Sequence, residues 1–254
     1  MLTNFPVSSY TSPSDLLRGR VILITGAGSG IGKAVAISIA QHGATVLLAG
    51  RNINSLESTY DKVLREAGPR AAICPLDLEH AKDSDYVELK NQIEVQFGAL
   101  DGLVNNAAIL GDRMPLNQYK SELWEKVLHT NVTAQFQLTR SLMPLLEQSS
   151  HGASVIFTTS GAGQAGRVFW GAYAVSKCAV EALMRGWAAE QENLGKLRIN
   201  AINPGATRTA MRSKAYPAEN PTNLISADQI TWAYLYLLGD DSLGLNGKTI
   251  HAQL

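Results

Sequence analysis

The sequence of 254 residues has no excess of charge of one sign, little cysteine and no long apolar run. Lysine and arginine number 22, as do aspartate and glutamate, so the charge balance gives no indication of a nucleic-acid or membrane-surface partner. The apolar runs fall short of the roughly 18 residues that a membrane span needs. The first residues contain neither an early basic cluster nor an apolar stretch, which argues against a secretory signal. We therefore expect a cytoplasmic protein with no nucleic-acid and no membrane partner.

The cysteine and histidine residues lack the spacing of a disulfide framework or a metal site. Cys74 and Cys178 stand far apart, and we interpret both as free, buried thiols in a reducing compartment. The five histidines are scattered along the chain. Since metal ligands normally recur at short, regular spacings, the sequence predicts no catalytic metal.

Strand-like and helix-like segments alternate along nearly the whole chain. Short apolar runs that are typical of buried parallel strands occupy 20–25, 44–49, 71–76, 102–104, 153–159, 197–202 and 248–252. Helical periodicity occupies 32–42, 54–67, 83–97, 120–146, 172–193 and 227–238. This alternation predicts an α/β fold with one doubly wound (Rossmann) parallel sheet that helices cover on both faces. We expect a loose N-terminal arm over 1–18 and a single domain over 19–254.

Glycines follow the first predicted strand in the run Thr25-Gly26-Ala27-Gly28-Ser29-Gly30-Ile31-Gly32. Gly26 can turn the chain with a positive φ, Gly30 lets the backbone approach a pyrophosphate, and Gly32 lets the helix pack closely on the sheet. The N-terminus of the next helix offers unpaired N–H groups and partial positive charge to phosphates. A glycine-rich turn that binds no nucleotide is the alternative, but the strand before the run and the helix after it favour a dinucleotide site. Ser29 and Ile31 are further predicted contacts of this site.

The ends of the second and third strands indicate which dinucleotide binds. NAD enzymes usually carry an acidic residue at the end of the second strand, where this chain has Gly50 and Arg51. Because a guanidinium can bind a 2′-phosphate bidentately, the sequence predicts NADP rather than NAD. The alternative is that Arg51 is a solvated loop residue. Asp77 and Leu78 are predicted cofactor contacts at the third strand end, although Asp77 could equally cap the loop that enters the next helix.

Tyr173 and Lys177 lie four residues apart on a predicted helix, so their side chains point the same way. A tyrosine pKa near ~10 is too high for proton transfer at neutral pH, and a neighbouring ammonium stabilises the phenolate. Ser160, at the end of the fifth strand, can reach the same substrate oxygen. Tyr-x-x-x-Lys pairs are common on helix surfaces and do not by themselves indicate a catalytic site. A strand that ends in serine precedes this pair, and that context favours a catalytic site.

Several motifs together resemble those of the classical short-chain dehydrogenases/reductases, over about residues 19–252. They are the glycine run, Asn105-Asn106-Ala107, Asn131, Ser160, Tyr173-Ala174-Val175-Ser176-Lys177 and Pro204-Gly205. Within this family, the segments 170–173, 202–212 and 239–242 are similar to those of the YciK-type bacterial oxidoreductases. One departure is Ala108, which stands where the family has glycine and adds only a methyl group.

The resemblance implies a role for each of four catalytic residues. Tyr173 would be the general acid when a carbonyl is reduced and the general base when an alcohol is oxidised. Lys177 would lower the pKa of the tyrosine and bind the nicotinamide ribose, and Ser160 would polarise the carbonyl. Asn131 would hold a water molecule that links Lys177 to solvent as a proton relay.

The resemblance also implies cofactor contacts and an assembly. Asn105 and Ala107 would line the adenosine and ribose side of the cleft. The nicotinamide ring and its carboxamide would be fixed by Pro204, Gly205, Thr207 and Thr209. The long helices at 120–146 and 172–193 would pair with their symmetry mates in a homodimer or homotetramer. Apart from the resemblance, the segment 209–228 is polar and contains Pro217 and Pro221, and we expect it to form a lid over the substrate.

Some side chains near the expected substrate have a structural alternative. Phe169 and Trp170 could form an aromatic wall, or pack against a neighbouring loop or subunit. We interpret three arginines as solvated or paired surface charges rather than ligands of an anionic substrate. These are Arg167, Arg208 and Arg212.

The favoured function is an NADP-dependent oxidoreductase that transfers a hydride between a nicotinamide cofactor and a small carbonyl or secondary alcohol. A non-catalytic NAD(P)-binding regulatory or redox-sensing protein is the second hypothesis. That protein would need the glycine run but not the four catalytic residues together, which favours the enzyme. A sugar-nucleotide epimerase would need a larger C-terminal substrate domain than the short segment after Gly205 provides.

Overall fold

A parallel sheet of seven strands is the centre of the computed structural model, which describes residues 10–68, 70–164, 166–192, 195 and 197–253. The strands in the described residues are β1 (Val21–Thr25), β2 (Thr45–Gly50), β3 (Ala71–Pro75), β4 (Gly102–Asn105), β5 (Ala153–Thr158), β6 (Leu197–Asn203), β7 (Thr207–Arg208), β8 (Ile225–Ser226) and β9 (Thr249–His251). The sheet order is β3-β2-β1-β4-β5-β6-β9, and β7 pairs separately with β8. All seven strands of the sheet run parallel.

Helices cover both faces of the sheet. In the described residues they are α1 (Gly30–Gln41), α2 (Ile53–Ala67), α3 (Asp83–Phe97), α4 (Ser121–Leu128), α5 (Ala134–Glu147), α6 (Gly171–Gln191), α7 (Ala210–Ala215) and α8 (Thr231–Leu238). One core cluster joins the sheet to α1, α2 and α8, and a second joins the opposite face to α3, α5 and α6. Buried faces on both sides explain why the strands are apolar almost throughout. The predicted doubly wound α/β fold is confirmed.

The helix predicted over 120–146 is instead two helices, because a π-helical turn at His129–Thr133 separates α4 from α5. Asn131 lies in this turn and is fully buried. Its side-chain oxygen accepts from the Ile109 N–H at 2.8 Å, and its amide group donates to the Ile109 carbonyl at 2.9 Å. The distant Ile109 backbone is therefore bound at the turn, a contact that helical periodicity does not reveal. Such π turns are frequent at functional sites.

The N-terminal segment is not loose over residues 10–18, and residues 1–9 lie outside the described part. Leu17 is fully buried in the core beside α1 and α8, and its N–H donates to the His42 carbonyl at 2.9 Å. The Tyr10 ring packs edge-on against Tyr236, with centroids 5.2 Å apart. The segment that contains the turn and capping residues 11–15 is therefore packed on the core and is not a free arm.

The predicted lid segment contains a short helix and strand that the sequence pattern did not indicate. Helix α7 begins after Thr209, whose hydroxyl accepts from the Arg212 N–H at 3.1 Å. Strands β7 and β8 are each two residues long, too short to leave a periodic signal.

Both cysteines are free, as predicted, but Cys178 is exposed rather than buried. Burial raises the pKa of the half-buried Cys74 thiol to about 11. In the described residues, no helix has the length and apolar composition that crossing a bilayer requires.

We expect Leu17→Ala to lower the free energy of unfolding by about 2–5 kcal/mol, because the substitution leaves a cavity in the core. Leu116→Ala is the matched control, since Leu116 is 67% exposed and a surface change costs within about 0.5 kcal/mol. Urea unfolding of both variants measures the difference. Equal stability of the two variants would show that the N-terminal segment contributes nothing to the fold.

Candidate functional site

A cleft of about 420 Å³ lies at the edge of the sheet where the carboxyl ends of the strands meet. Residues that follow or end β1, β2, β3, β4, β5 and β6 all line it. The strand order reverses between β1 and β4. The connections on the two sides of this point run over opposite faces of the sheet. Ligands of open α/β sheets bind at such a switch point.

The glycine run forms the floor of one half of the cleft. Gly26 has φ +68°, a conformation that favours glycine. A Cβ at Gly32 would lie 2.3 Å from the Gly26 carbonyl oxygen, so no larger residue fits there. Helix α1 begins at Gly30, and its first turn contains no acidic side chain. The helix therefore presents N–H groups and partial positive charge to the cleft, a combination that suits the pyrophosphate of a dinucleotide.

A network of charged side chains lies where β2 and β3 end. Arg51 lines the cleft and pairs with Glu79 at 2.9 Å, while the Lys126 ammonium approaches the other oxygen of Glu79 to 2.5 Å. The hydrogen bond from Lys126 is the main cause of the lowered pKa of Glu79. The Arg51 side chain is 58% exposed. Its guanidinium is therefore accessible to a ligand, with Glu79 as its present partner.

Asp77 caps the loop after β3, the alternative that its sequence position left open. One oxygen accepts from the Glu79 N–H at 3.1 Å, and the other lies 3.0 Å from His80 Nδ1. Ligand atoms of Asp77, Glu79 and His80 lie within 4.8 Å of one another, but each takes part in these pairings. Leu78 is 6% exposed and lines the cleft beside Asp77.

Tyr173, Lys177 and Ser160 meet in the other half of the cleft. Tyr173 and Lys177 lie one turn apart on α6, and the ammonium lies 5.8 Å from the centre of the Tyr173 ring. Ser160 lies beside the phenol and lowers the pKa of Tyr173 by hydrogen bonding, while its hydroxyl accepts from the Ala162 N–H at 3.3 Å. The structure thus brings together three of the four predicted catalytic side chains, and all three line the cleft.

The electrostatics of this group differ from the expected acidification of the tyrosine. Burial raises the pKa of Tyr173, and only the hydrogen bond with Ser160 opposes it. Burial also lowers the pKa of Lys177 from 10.5 to about 8. The ammonium donates to the Thr158 carbonyl at 2.7 Å. Desolvation therefore outweighs the attraction between Lys177 and a phenolate in this arrangement.

Asn131 and Asn105 are not among the residues that line the cleft, and Asn105 was expected to do so. Besides its contacts with Ile109, the Asn131 amide donates to Ser176 Oγ at 3.0 Å, and that hydroxyl donates to the Tyr173 carbonyl at 2.7 Å. Asn105 is fully buried and donates to Thr139 Oγ1 at 3.0 Å. The alternation of side chains along β4 directs Asn105 into the core, so Asn106 and Ala107 line the cleft instead.

The loop after β6 lines the centre of the cleft with Pro204, Gly205, Thr207 and Thr209. Gln253 holds this loop, since its side-chain amide donates to the Pro204 carbonyl at 2.7 Å and to Thr207 Oγ1 at 3.2 Å. A Cβ on Gly205, which has φ +70°, would lie 2.7 Å from Gln253 Cδ. No sequence pattern indicated Gln253, because only the fold brings this residue to the cleft.

The far end of the cleft is apolar. Trp170 is 7% exposed and lies 5.5 Å from Tyr173 and 5.8 Å from Tyr216, measured between ring centres. With Leu110, Ala162 and Ala215 these rings form a third apolar cluster, separate from the main core. Phe169 is instead 50% exposed and does not line the cleft. The aromatic wall is therefore Trp170.

The arginines at this end have partners. Arg212 lines the cleft, forms two hydrogen bonds of 2.6 Å to the Glu219 carboxylate and stacks 3.9 Å over the Tyr216 ring. Arg113, which the sequence did not single out, lies over both Trp170 and Tyr216 at 5.1 and 4.8 Å, and donates to the Ala215 carbonyl. Arg167 lies 3.5 Å from the Tyr216 hydroxyl. The interpretation of Arg212 as a paired charge is confirmed.

Comparison with known proteins places these features in a family. Residues 20–220 match the model of the short-chain dehydrogenase family. YciK of Escherichia coli K12, an uncharacterized oxidoreductase, is 43% identical over 96% of this chain and 96% of its own length. A 3-oxoacyl-[acyl-carrier-protein] reductase of Thermotoga maritima is 31% identical over 92% of this chain and 96% of its own.

Solved structures of related proteins have the same fold as this chain. A short-chain dehydrogenase of Escherichia coli CFT073 in complex with NADPH superposes with a TM-score of 0.93, at 42% identity over 96% of this chain and all of that one. A relative from Pseudomonas syringae has a TM-score of 0.94 at 49% identity, over 96% of this chain and 99% of that one. The chain therefore belongs to the short-chain dehydrogenase/reductase family of oxidoreductases, within which it is similar to YciK.

Proposed function

We propose that this protein is an NADP(H)-dependent oxidoreductase that transfers a hydride between a nicotinamide cofactor and a small carbonyl or secondary alcohol. The observation that carries the proposal is the meeting of Tyr173, Lys177 and Ser160 in one half of a cleft whose other half is the glycine run. When bound, the cofactor would supply or accept the hydride. The protein would orient the two reactants and control one proton.

The dinucleotide would lie along the cleft from the strand ends of β2 and β3 to Tyr173. Its pyrophosphate would lie at the N-terminus of α1, beside Gly30 and Ile31. Arg51 would bind the 2′-phosphate, since its guanidinium is exposed at this end. Thr207 and Thr209 line the cleft and would hold the nicotinamide and its carboxamide. NADP and NADPH complexes of related short-chain dehydrogenases support the choice of cofactor.

Tyr173 would donate its phenolic proton to the carbonyl oxygen during reduction and take a proton from the hydroxyl during oxidation. Burial raises the pKa of the phenol and so weakens it as an acid, and nearby positive charge must offset this effect for proton transfer at neutral pH. Oxidation needs positive charge near the phenol, from Lys177 and from the oxidised nicotinamide. Ser160 would hold the carbonyl oxygen by the hydroxyl that also contacts Tyr173.

Asn131 would act mainly as a positioning residue. Both of its amide hydrogens are donated, to the Ile109 carbonyl and to Ser176, and its oxygen accepts from the Ile109 N–H. One lone pair of the side-chain oxygen remains for a water molecule of the predicted proton relay. The residue would thus support Tyr173 through Ser176, with the relay as its second role.

The apolar far end of the cleft, where the substrate would bind, favours an uncharged group next to the reacting carbonyl. Leu110, Trp170 and Ala215 provide apolar surface there, and the Arg212 charge is matched by Glu219. A carboxylate or phosphate at this end would lie against apolar surface and compete with Glu219 for Arg212, which is costly away from water unless Arg113 or Lys177 pairs with it. A small, apolar ketone or aldehyde therefore fits this end better than an anionic one.

A cytoplasmic homodimer or homotetramer is part of the proposal. The outer face of α5 and α6 carries Phe136, which is 36% exposed and stacks on Trp187 with ring centres 6.1 Å apart. Apolar rings on the faces of long helices are typical of subunit contacts. The competing hypothesis, a regulatory protein that binds NADP without turnover, predicts no activity on any carbonyl.

We expect Tyr173→Phe to abolish turnover and to leave NADPH binding nearly unchanged, because general acid catalysis contributes about 100-fold or more. NADPH consumption with ketones, aldehydes, quinones and 3-ketoacyl thioesters first identifies a substrate, and fluorescence titration measures binding. Tyr60→Phe on α2, away from the cleft, is the control and should keep full activity. A Tyr173→Phe rate above about a tenth of the wild-type rate would contradict the acid role.

Arg51→Ala should raise the KM for NADPH about 10- to 100-fold and change the KM for NADH less than about twofold. The reason is the loss of charge-assisted hydrogen bonds to the 2′-phosphate, which contribute about 1.5–3 kcal/mol. Arg65→Ala, an exposed position in the last turn of α2, is the matched control. An unchanged NADPH KM in Arg51→Ala would make Arg51 a solvated loop residue.

The buried ammonium of Lys177 makes stability depend on pH. Between about pH 8 and 10.5 the unfolded chain retains a proton that the folded chain has lost, so the free energy of unfolding rises with pH through this window. Lys177→Met removes this titration. We expect the stability of the wild type relative to Lys177→Met to increase by about 2–3 kcal/mol from pH 7 to pH 10.

Urea unfolding at several pH values measures this difference. The same comparison with Lys214→Met, at an exposed position on α7, should give a difference that does not vary with pH. A flat difference for Lys177→Met as well would show that the ammonium is not desolvated in the folded protein.

A further inference from the structure

Glu181 is a buried carboxylate that the proposed chemistry does not use. It is on α6, one turn beyond Lys177, and only 9% of the residue is exposed. Buried carboxylates are costly unless hydrogen bonds or charges satisfy them. What Glu181 contacts therefore indicates what it does.

The contacts of Glu181 are on both sides of Ser160. Its Oε1 atom accepts from the Thr159 hydroxyl at 3.0 Å and from the Gln164 side-chain amide at 3.2 Å. Its other oxygen lies 3.5 Å from a guanidinium nitrogen of Arg185. One oxygen atom thus ties both ends of the segment 159–164, which contains Ser160, to helix α6.

The same segment touches α6 through its backbone. A Cβ on Gly163 would lie 2.8 Å from the Cys178 nitrogen and 3.0 Å from the Lys177 carbonyl carbon. Two turn hydrogen bonds hold the segment internally, from the Gly163 N–H to the Ser160 carbonyl and from the Gln164 N–H to the Gly161 carbonyl. The segment is therefore a compact double turn that rests on the helix next to Lys177.

We propose that Glu181 is a positioning residue that fixes the Ser160 loop against the helix carrying Tyr173 and Lys177. The inference rests on the proposed function, because Ser160 is taken to hold the substrate carbonyl. Glu181 touches neither the cleft nor any catalytic side chain, so it would act only through the loop. Without its acceptor oxygen, the Gln164 amide loses a partner and the Thr159 hydroxyl keeps only the Lys177 carbonyl at 3.4 Å, so Ser160 is held less firmly.

The first experiment compares Glu181→Ala with Glu181→Gln in the full-length enzyme. Glu181→Ala should lower kcat about 10- to 100-fold, as expected for a misplaced reacting group, and change KM for NADPH less than about twofold. Glu181→Gln retains the Oε1 acceptor and should recover most of the activity. Glu190→Ala, an exposed position on the same helix, is the control for loss of a helix carboxylate.

A double-mutant cycle separates positioning from a general structural effect. In a Ser160→Ala background, Glu181→Ala should cost less than about twofold, because the side chain that it positions is already absent. Costs that multiply in the double variant would overturn the proposal and place the effect of Glu181 elsewhere on α6. Equal kcat for Glu181→Ala and the wild type would overturn it as well.

Hydrogen exchange tests the inference without any activity. Glu181→Ala should speed amide exchange at Gly163 and Gln164 about tenfold or more while leaving the amides of β5 unchanged, whereas Glu181→Gln should not. If the panel of carbonyls gives no turnover but exchange rises at these two amides, the proposed function fails and the positioning role holds. Unchanged exchange in Glu181→Ala would overturn the positioning role, whatever the activity.

Discussion

Lys177 carries an ammonium group into the interior of the protein, where only 1% of the residue is exposed. The Thr158 carbonyl, at 2.7 Å, is the acceptor that makes this burial tolerable. Thr158 is the last residue of β5 and directly precedes the loop that contains Ser160. This charged hydrogen bond therefore links α6 to the end of β5, next to the loop that contains Ser160.

Three side chains lie in a row on the face of α6 that makes this hydrogen bond. Tyr173, Lys177 and Glu181 follow one another at intervals of four residues, so they lie on one side of the helix. Each contacts a different residue at or just after the end of β5: the phenol contacts Ser160, the ammonium contacts Thr158, and the carboxylate contacts Thr159. The spacing that suggested a catalytic pair is thus also the spacing that docks the helix on the sheet edge.

Local patterns were sufficient for the fold and for most of the cleft. Strand runs, the glycine run and the interval from Tyr173 to Lys177 are short-range signals, so the sequence placed them with errors of a few residues at element ends. Features that depend on distant contacts were missed or misplaced. The π turn forms around an Asn131–Ile109 contact, Leu17 docks on a core built from later helices, and Asn105 points into the core.

The direction of the Tyr173 pKa has the same explanation. Adjacency on a helix shows that an ammonium is near, but the effect on the phenol depends on how much water remains between and around the two groups. Both groups are buried, and the desolvation that lowers the pKa of Lys177 also raises that of Tyr173. A phenol with a raised pKa is a weaker acid, so nearby positive charge must offset the effect of burial before the phenol could transfer a proton at neutral pH. Beside Lys177, burial leaves the pKa of Tyr173 raised, so its lowering by Lys177 and an oxidised nicotinamide stays a prediction.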